Sequence, residues 1–311
     1  MKIQKTLVVA VLALICCALW GSAFPCIKIG YEWFEIEGAG SQILFAGWRF
    51  FLAGVMTLIL FSVKEKKLLQ VRKNALLPVI GQGILQTTVQ YFFFYLGLAH
   101  TTGAKGSVIT ASNAFFSIIA AHFIFKEERF DLRKLAGCLA GFAGVVIVNL
   151  TPGSWGDGFS FYGEGFILVC AAAYGISSVT TKLIAERESP EAITAYQLMF
   201  GGGLLIVMGY AAGGAMGDFT LASAVLFLYL ALLSTAAFTI WAILLKYNPV
   251  GKVAPFGFTI PIFGTLLSAI FLHESVWSWN NLLALILVSG GILWVNTEKK
   301  EYDVCRKSPE A

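Results

Sequence analysis

Ten stretches of this chain, each about as long as a bilayer's hydrocarbon is thick, carry almost no charge. They cover residues 7–29, 41–63, 76–98, 107–125, 135–150, 163–181, 193–212, 221–245, 253–272 and 279–295. A helix needs roughly 20 mostly apolar residues to cross a ~30 Å apolar layer. These runs take up roughly two-thirds of the 311 residues, so the connections leave no room for a water-soluble domain. Composition agrees: 58% of residues are apolar and 13% charged, where a soluble domain has about 45–50% and 25%. Disorder, collagen, disulfide scaffolds and coiled coils are excluded by the same pattern. The expected fold class is all-α, a polytopic membrane protein of ten transmembrane helices. The first run is too long for the ~7–15-residue apolar core of a signal peptide and is counted as a helix.

Orientation follows from the basic residues of the short connections. With the amino terminus in the cytoplasm, 19 of the 22 lysines and arginines fall on the inner side, Lys105 falls outside, and Lys28 and Arg49 lie within spans. A wrong span count would scramble that alternation. The expectation is a multi-pass plasma-membrane protein of prokaryotic type with both termini inside. Five of the six cysteines (Cys16, Cys17, Cys26, Cys138, Cys170) sit in apolar runs and Cys305 in the tail, with no CxxC or Cys/His ligand spacing. Neither a disulfide framework, a metal nor any other cofactor is expected.

The chain also repeats itself. Residues 105–149 align without gaps on 252–296 at an offset of 147, with identities that include Phe116/Phe263, Glu127/Glu274, Gly144/Gly291 and Asn149/Asn296. Upstream, ALWGSAFPCIK lies over AAYGISSVTTK at offset 154, pairing Trp20 with Tyr174, Gly21 with Gly175 and Lys28 with Lys182. GWRFFLAG lies over AYQLMFGG at offset 148, which pairs Arg49 with Gln197. The repeat holds five spans. Because five is odd, the second copy starts on the opposite side and is expected to be inverted, an arrangement of transporters with a site near the bilayer midplane. The expected units are 7–150, 163–296 and a short cytoplasmic tail, 297–311.

The segments WGSAFPCIK, WRF and IPIFGTLLSAIFLHE resemble the EamA family of the drug/metabolite transporter superfamily, and the resemblance extends over residues 7–296. It implies a ten-helix carrier of small solutes and says little about which solute. Members of that family usually carry a proline in the fourth helix, where this chain reads ASNAFFS. Pro261 in the ninth is kept, so the resemblance implies a helix break in the second half only. Small multidrug pumps of the same superfamily use a glutamate in the first helix to exchange protons for cations. This first helix has no acid, which disfavours that mechanism.

Polar side chains inside spans mark candidate sites, since hydrocarbon cannot solvate them. Arg49 lies eight residues into the second span, about 12 Å deep by the helical rise. It either anchors an anionic or zwitterionic solute or locks onto an internal carbonyl or acid. Gln82, Gln86 and Gln90, four residues apart, share one helical face flanked by Thr87, Tyr91 and Tyr95. They line a wet cavity or fasten helices together. Asn113 and Gln197 sit in mid-span, and Trp20, Tyr174 and Trp241 supply aromatic walls or ordinary packing. Lys28 and Lys182 snorkel to the interfaces or touch substrate, while Glu127 and Glu274 fix loops or gates.

Rival classes find little support. There is no GxSxG, His273-Glu274 lacks the second histidine of HExxH, and no P-loop is present. An enzyme is therefore not expected, nor is nucleic-acid binding. A receptor or scaffold would need more exposed surface than these short connections offer. The expected function is a secondary carrier exporting a small amino-acid-like, anionic or zwitterionic metabolite. Export of apolar drug-like compounds, or a scaffold that carries nothing, are the alternatives. The expected substrate residues are Arg49, Gln86, Gln90, Tyr91, Asn113, Gln197, Trp20, Tyr174 and Trp241. The expected partners are the solute and the lipid bilayer, with a homodimer left open.

Overall fold

The computed structural model describes residues 5–100, 109–126, 128, 131–148, 160–272 and 279–296, and every regular element among them is helical. A helix stands over each of the ten apolar runs. They are α1 (Thr6–Trp33), α2 (Gly38–Glu65), α3 (Lys73–Gly83, Ile84–Val89 and Gln90–Ala99), α4 (Asn113–Ile124) and α5 (Leu132–Val148). Then come α6 (Phe161–Gly165 and Phe166–Ala185), α7 (Pro190–Ala211), α8 (Leu221–Tyr247), α9 (Val250–Val253, Ala254–Phe258 and Thr259–Leu272) and α10 (Trp279–Asn296). Among the described residues, five of them, α1, α2, α6, α7 and α8, are long and apolar enough to cross a bilayer by length and composition alone. Lys105, Glu127, Asn149, His273, Glu274, Cys305 and the tail 297–311 lie outside the described residues.

Local chemistry sets the helix starts. Ser189 accepts from Ala192 N at 3.1 Å with Pro190 as the first helical residue of α7, where a missing N–H costs nothing. Thr220 and Ser223 close a reciprocal capping box on α8. At α6, Ser160 Oγ accepts from Gly163 N while the buried Glu164 carboxylate accepts from Ser160 N at 2.6 Å. Each arrangement satisfies donors that a helix start leaves open.

The burial pattern is reversed relative to a water-soluble bundle. Leu7, Val11, Ile59, Val63, Val207, Leu228, Ile286 and Leu293 are exposed, while Arg49, Gln82, Gln86, Gln90, Asn113 and Gln197 are buried. Only a solvent of hydrocarbon makes that distribution favourable. With no hydrophobic drive between helices in lipid, close backbone approach must supply the packing. Accordingly, a Cβ on Gly54 would lie 2.7 Å from Ala195 O, and one on Gly202 would lie 2.9 Å from Gly47 O, locking α2 to α7.

These two contacts are copies of each other, since Gly54 is the repeat mate of Gly202 and Gly47 of Ala195. The same exchange relates α1 on α9 to α6 on α4. A Cβ on Gly21 would come within 2.5 Å of Phe263 Cβ, and one on Gly175 within 2.4 Å of Phe116 Cβ. Duplication is thus written in the packing as well as in the sequence.

One expectation needs correction. Both halves carry a helix break, not the second alone. In α9 a tight 3₁₀ turn over Ala254–Phe258 precedes Thr259, whose hydroxyl donates to Phe256 O at 2.7 Å. Before α4, Ser112 turns the chain: its N–H bonds Ile109 O at 3.0 Å and its hydroxyl bonds the same carbonyl at 2.6 Å. Ser112 and Thr259 are repeat mates, as are Ile109 and Phe256. A hydroxyl that bonds a carbonyl three residues back competes with the helical ladder, so the first half bends without proline.

Candidate functional site

The interior between α1, α2, α3 and α8 is built on a chain of aromatic rings. Trp241 meets Trp20 with ring centroids 5.1 Å apart, and Trp20 meets Phe238 at 5.6 Å. Phe238 contacts Phe50 at 6.1 Å, Phe50 contacts Tyr91 at 4.4 Å, and Tyr91 leads on to Tyr95 at 6.4 Å. Four helices thus contribute to one continuous wall. The α-helical period brings it together, since Phe238 and Trp241 are three apart and Tyr91 and Tyr95 four apart.

Polar atoms hang on this wall without partners. Arg49 is 3% exposed, its guanidinium carbon lies 4.2 Å from the Phe50 ring centroid, and the Tyr91 hydroxyl stands beside it. Among the described residues, Arg49 Nε and Nη1, Trp20 Nε1, Trp241 Nε1, Gln90 Oε1 and Gln197 Oε1 are buried with no hydrogen-bond partner. Native proteins pair nearly all buried polar atoms, and an uncompensated buried charge is costlier still. The acids do not help Arg49. Among the described residues, buried Glu128, Glu164 and Glu188 are engaged at helix ends by Lys182, Ser160 and Arg72. Three donor groups on the rings, one of them charged, and two amide acceptors elsewhere in the bundle thus remain without partners.

The glutamine stripe divides. Gln82 Nε2 donates to Ser177 O at 3.0 Å, Thr181 Oγ1 at 2.6 Å and Gln86 Oε1 at 2.9 Å, and Thr180 donates to Gln82 Oε1. This end fastens α3 to α6. Thr88 donates to Gly201 O at 3.0 Å and fastens α3 to α7. Gln90, two turns on, keeps its free oxygen. Between Gln82 and Gln90 the helix widens into a π turn over Ile84–Val89. Such turns are rare and recur at functional sites.

The other expected residues are placed as follows. Tyr174 is buried with its hydroxyl near Tyr91, Cys16 and Cys17, which puts it against the same interior. Gln197 packs against Gly83 of α3. Asn113 stands at the start of α4 beside the break in α9, where a Cβ on Gly257 would lie 3.5 Å from its Oδ1. Phe50 and Phe238 were not expected, although their spacing from Arg49 and Trp241 offered a signal. The orphaned hydroxyls of Thr194 and Thr239 had no signal at all. Among the described residues no cluster of His, Cys, Asp and Glu suits a metal.

At one end of the bundle Lys182 and Glu128 are paired with each other and with backbone groups. Lys182 Nζ lies 2.5 Å from Glu128 Oε1 and 3.2 Å from Asn248 O, and stands 4.7 Å from the Phe125 ring centroid. The second Glu128 oxygen accepts from Gly251 N at 3.0 Å. This joins α6, the segment after α4, and the corner between α8 and α9. Lys182 is neither free at the interface nor turned to the ring wall. Glu128 is a carboxylate that sequence reasoning missed.

Comparison with known proteins agrees with this architecture. A family model described as the EamA-like transporter family matches residues 7–150 and again 161–297. The uncharacterized transporter YoaV of Bacillus subtilis is 24% identical over 281 residues, covering 90% of this chain and 93% of its own. A probable amino-acid metabolite efflux pump of Escherichia coli is 24% identical over 299 residues, covering 92% and 93%. One solved crystal structure shares the fold with a TM-score of 0.77 at 18% identity, covering 92% of this chain and 95% of that one.

Proposed function

This chain belongs to the EamA-like transporter family, and from that premise we propose that it is a secondary-active carrier exporting a small anionic or zwitterionic metabolite. The observation that carries the reading is the set of partnerless buried polar atoms, of which those of Arg49, Trp20 and Trp241 lie on the aromatic wall. A carboxylate fits the Arg49 fork, with the Trp20 and Trp241 N–H groups as further donors. Gln90 and Gln197 offer oxygens to an ammonium or hydroxyl, and Tyr91 and Tyr174 flank the solute's apolar body. Gln86 and Asn113 act one step back, through Gln82 and at the helix breaks.

In this reading the two halves are inverted repeats in the plasma membrane, with both termini in the cytoplasm. The interchangeable contacts of Gly21/Phe263 and Gly175/Phe116 support it, because each half then packs its first helix on the other's fourth. The basic loops put the Glu128–Lys182 pair on the cytoplasmic side. That pair bridges α6 to the α8–α9 corner, so it closes the inner mouth. Its rupture would let the bundles rock about the breaks at Ser112 and Thr259.

The test uses purified protein in proteoliposomes, with a panel of labelled amino acids and carboxylic acids in counterflow. Wild type should exchange a narrow set, and Arg49→Gln and Gln90→Leu should each impair that exchange without loss of folded protein. Undiminished exchange in both variants removes this site. No exchange of any solute by wild type removes the carrier reading.

A further inference from the structure

Below Gln82, a groove of about 550 Å³ lies between the start of α3 and the end of α6. Its walls are apolar, with Ala75, Pro78 and Leu85 on one side and Leu183 and Ile184 on the other. Gly81 forms part of the floor, where a Cβ would meet nothing within 4 Å. Gln82 and Thr180, bonded to each other, close the head. Leu183 of the lining is exposed, as are Leu76, Leu77 and Ile84 elsewhere on α3, so this part of the bundle turns apolar side chains outward.

The mouth is charged with both signs, by Arg72, Arg187, Glu186 and Glu188. Glu188 is the informative one. It is 6% exposed, and its Oε1, which faces Arg72 Nε at 3.6 Å as an ion pair, accepts no hydrogen bond among the described residues. Lys246 Nζ, the other cation at hand, bonds the backbone oxygen of Glu188 at 3.0 Å. A buried carboxylate oxygen in this position calls for an N–H donor.

We infer that the groove holds a phospholipid whose headgroup carries both a phosphate and a primary ammonium. One acyl chain lies over Pro78, Gly81 and Leu85, the phosphate meets Arg72 and Arg187, and the ammonium donates to Glu188 Oε1. A quaternary ammonium has no N–H to give. A purely anionic headgroup satisfies the arginines but sets its charge against two carboxylates. The inference rests on the chain crossing a bilayer, as proposed above, and not on what it carries.

Native mass spectrometry of the full chain, released from nanodiscs of mixed phosphatidylethanolamine, phosphatidylcholine and phosphatidylglycerol, tests it. The expected result is retention of phosphatidylethanolamine over either competitor by roughly tenfold, the worth of one charge-assisted hydrogen bond. Glu188→Gln should abolish that preference. Gly81→Leu, which fills open space and favours the helix, should abolish retention while melting no lower than wild type. Equal retention of the three lipids, a preference for phosphatidylglycerol, or retention that survives Gly81→Leu overturns the inference. A protein that exchanges no solute yet retains phosphatidylethanolamine keeps the groove and loses only the carrier.

Discussion

Gln82 and Gln90 stand two turns apart on α3 and are both at least nine-tenths buried, yet they live in opposite chemical worlds. Gln82 is bonded at both ends of its amide to α6 and to Gln86. Gln90 keeps an unbonded oxygen in a bundle that also holds a guanidinium whose Nε and Nη1 lack partners and two unpaired indole N–H groups. The Glu128–Lys182 cluster resembles the first world, with the lysine and both carboxylate oxygens bonded. Where partners are matched, polar groups fasten helices. Where they are not, energy is held in reserve for something that arrives and leaves. The contrast is useful because it predicts different consequences for equally buried side chains.

The largest effect on stability belongs to the matched cluster. Removing one member of a buried ion pair strands the other and costs about 3–5 kcal/mol. Glu128→Gln and Lys182→Gln should therefore each lower the melting temperature sharply. The double variant should cost less than the sum, because neither charge is then left alone. Additive losses in that cycle would mean the pair does not couple these segments.

Arg49 should behave the other way. Its Nε and Nη1 bond nothing among the described residues, so Arg49→Gln removes a desolvation penalty and should leave the melting temperature unchanged or higher. Exchange should fall by roughly 10- to 100-fold, the worth of one or two hydrogen bonds to a charged group. Gln82→Leu should do the reverse, costing roughly 1–2 kcal/mol of stability with little loss of solute affinity. If Arg49→Gln destabilises as much as Gln82→Leu, the two worlds are one and the interior is ordinary packing.

Much of this was legible before any coordinates. Ten helices follow from run length, and the stripe on α3 follows from a spacing of four. The identity of the candidate wall was half legible: Trp20, Tyr91 and Trp241 share the interior with Arg49, as expected of aromatics in polar company. What the sequence could not decide was which glutamine is satisfied. That depends on Ser177, Thr180 and Thr181 arriving from α6, nearly a hundred residues away. Likewise, no pattern marks Glu128, since only the fold brings Gly251 N to it. The second break was hidden because a serine hydroxyl can do locally what proline does, and serine carries no such signal on its own.

The smallest effect tests the two halves against each other. Ser112→Ala and Thr259→Ala each remove a hydroxyl that holds a carbonyl three residues back, a bond worth about 0.5–1.5 kcal/mol. If the breaks were equivalent, the two losses would match. They differ in one respect: Phe256 O also accepts from Cys17 Sγ at 3.2 Å, whereas no second side-chain donor to Ile109 O is found among the described residues. Thr259→Ala should therefore leave its break partly held and slow exchange less than Ser112→Ala. Adding Cys17→Ala to Thr259→Ala should bring the second half level with the first. Stability and exchange that respond to Cys17→Ala alone as strongly as to the pair would place the hold in the thiol, and the hydroxyl symmetry would then be incidental.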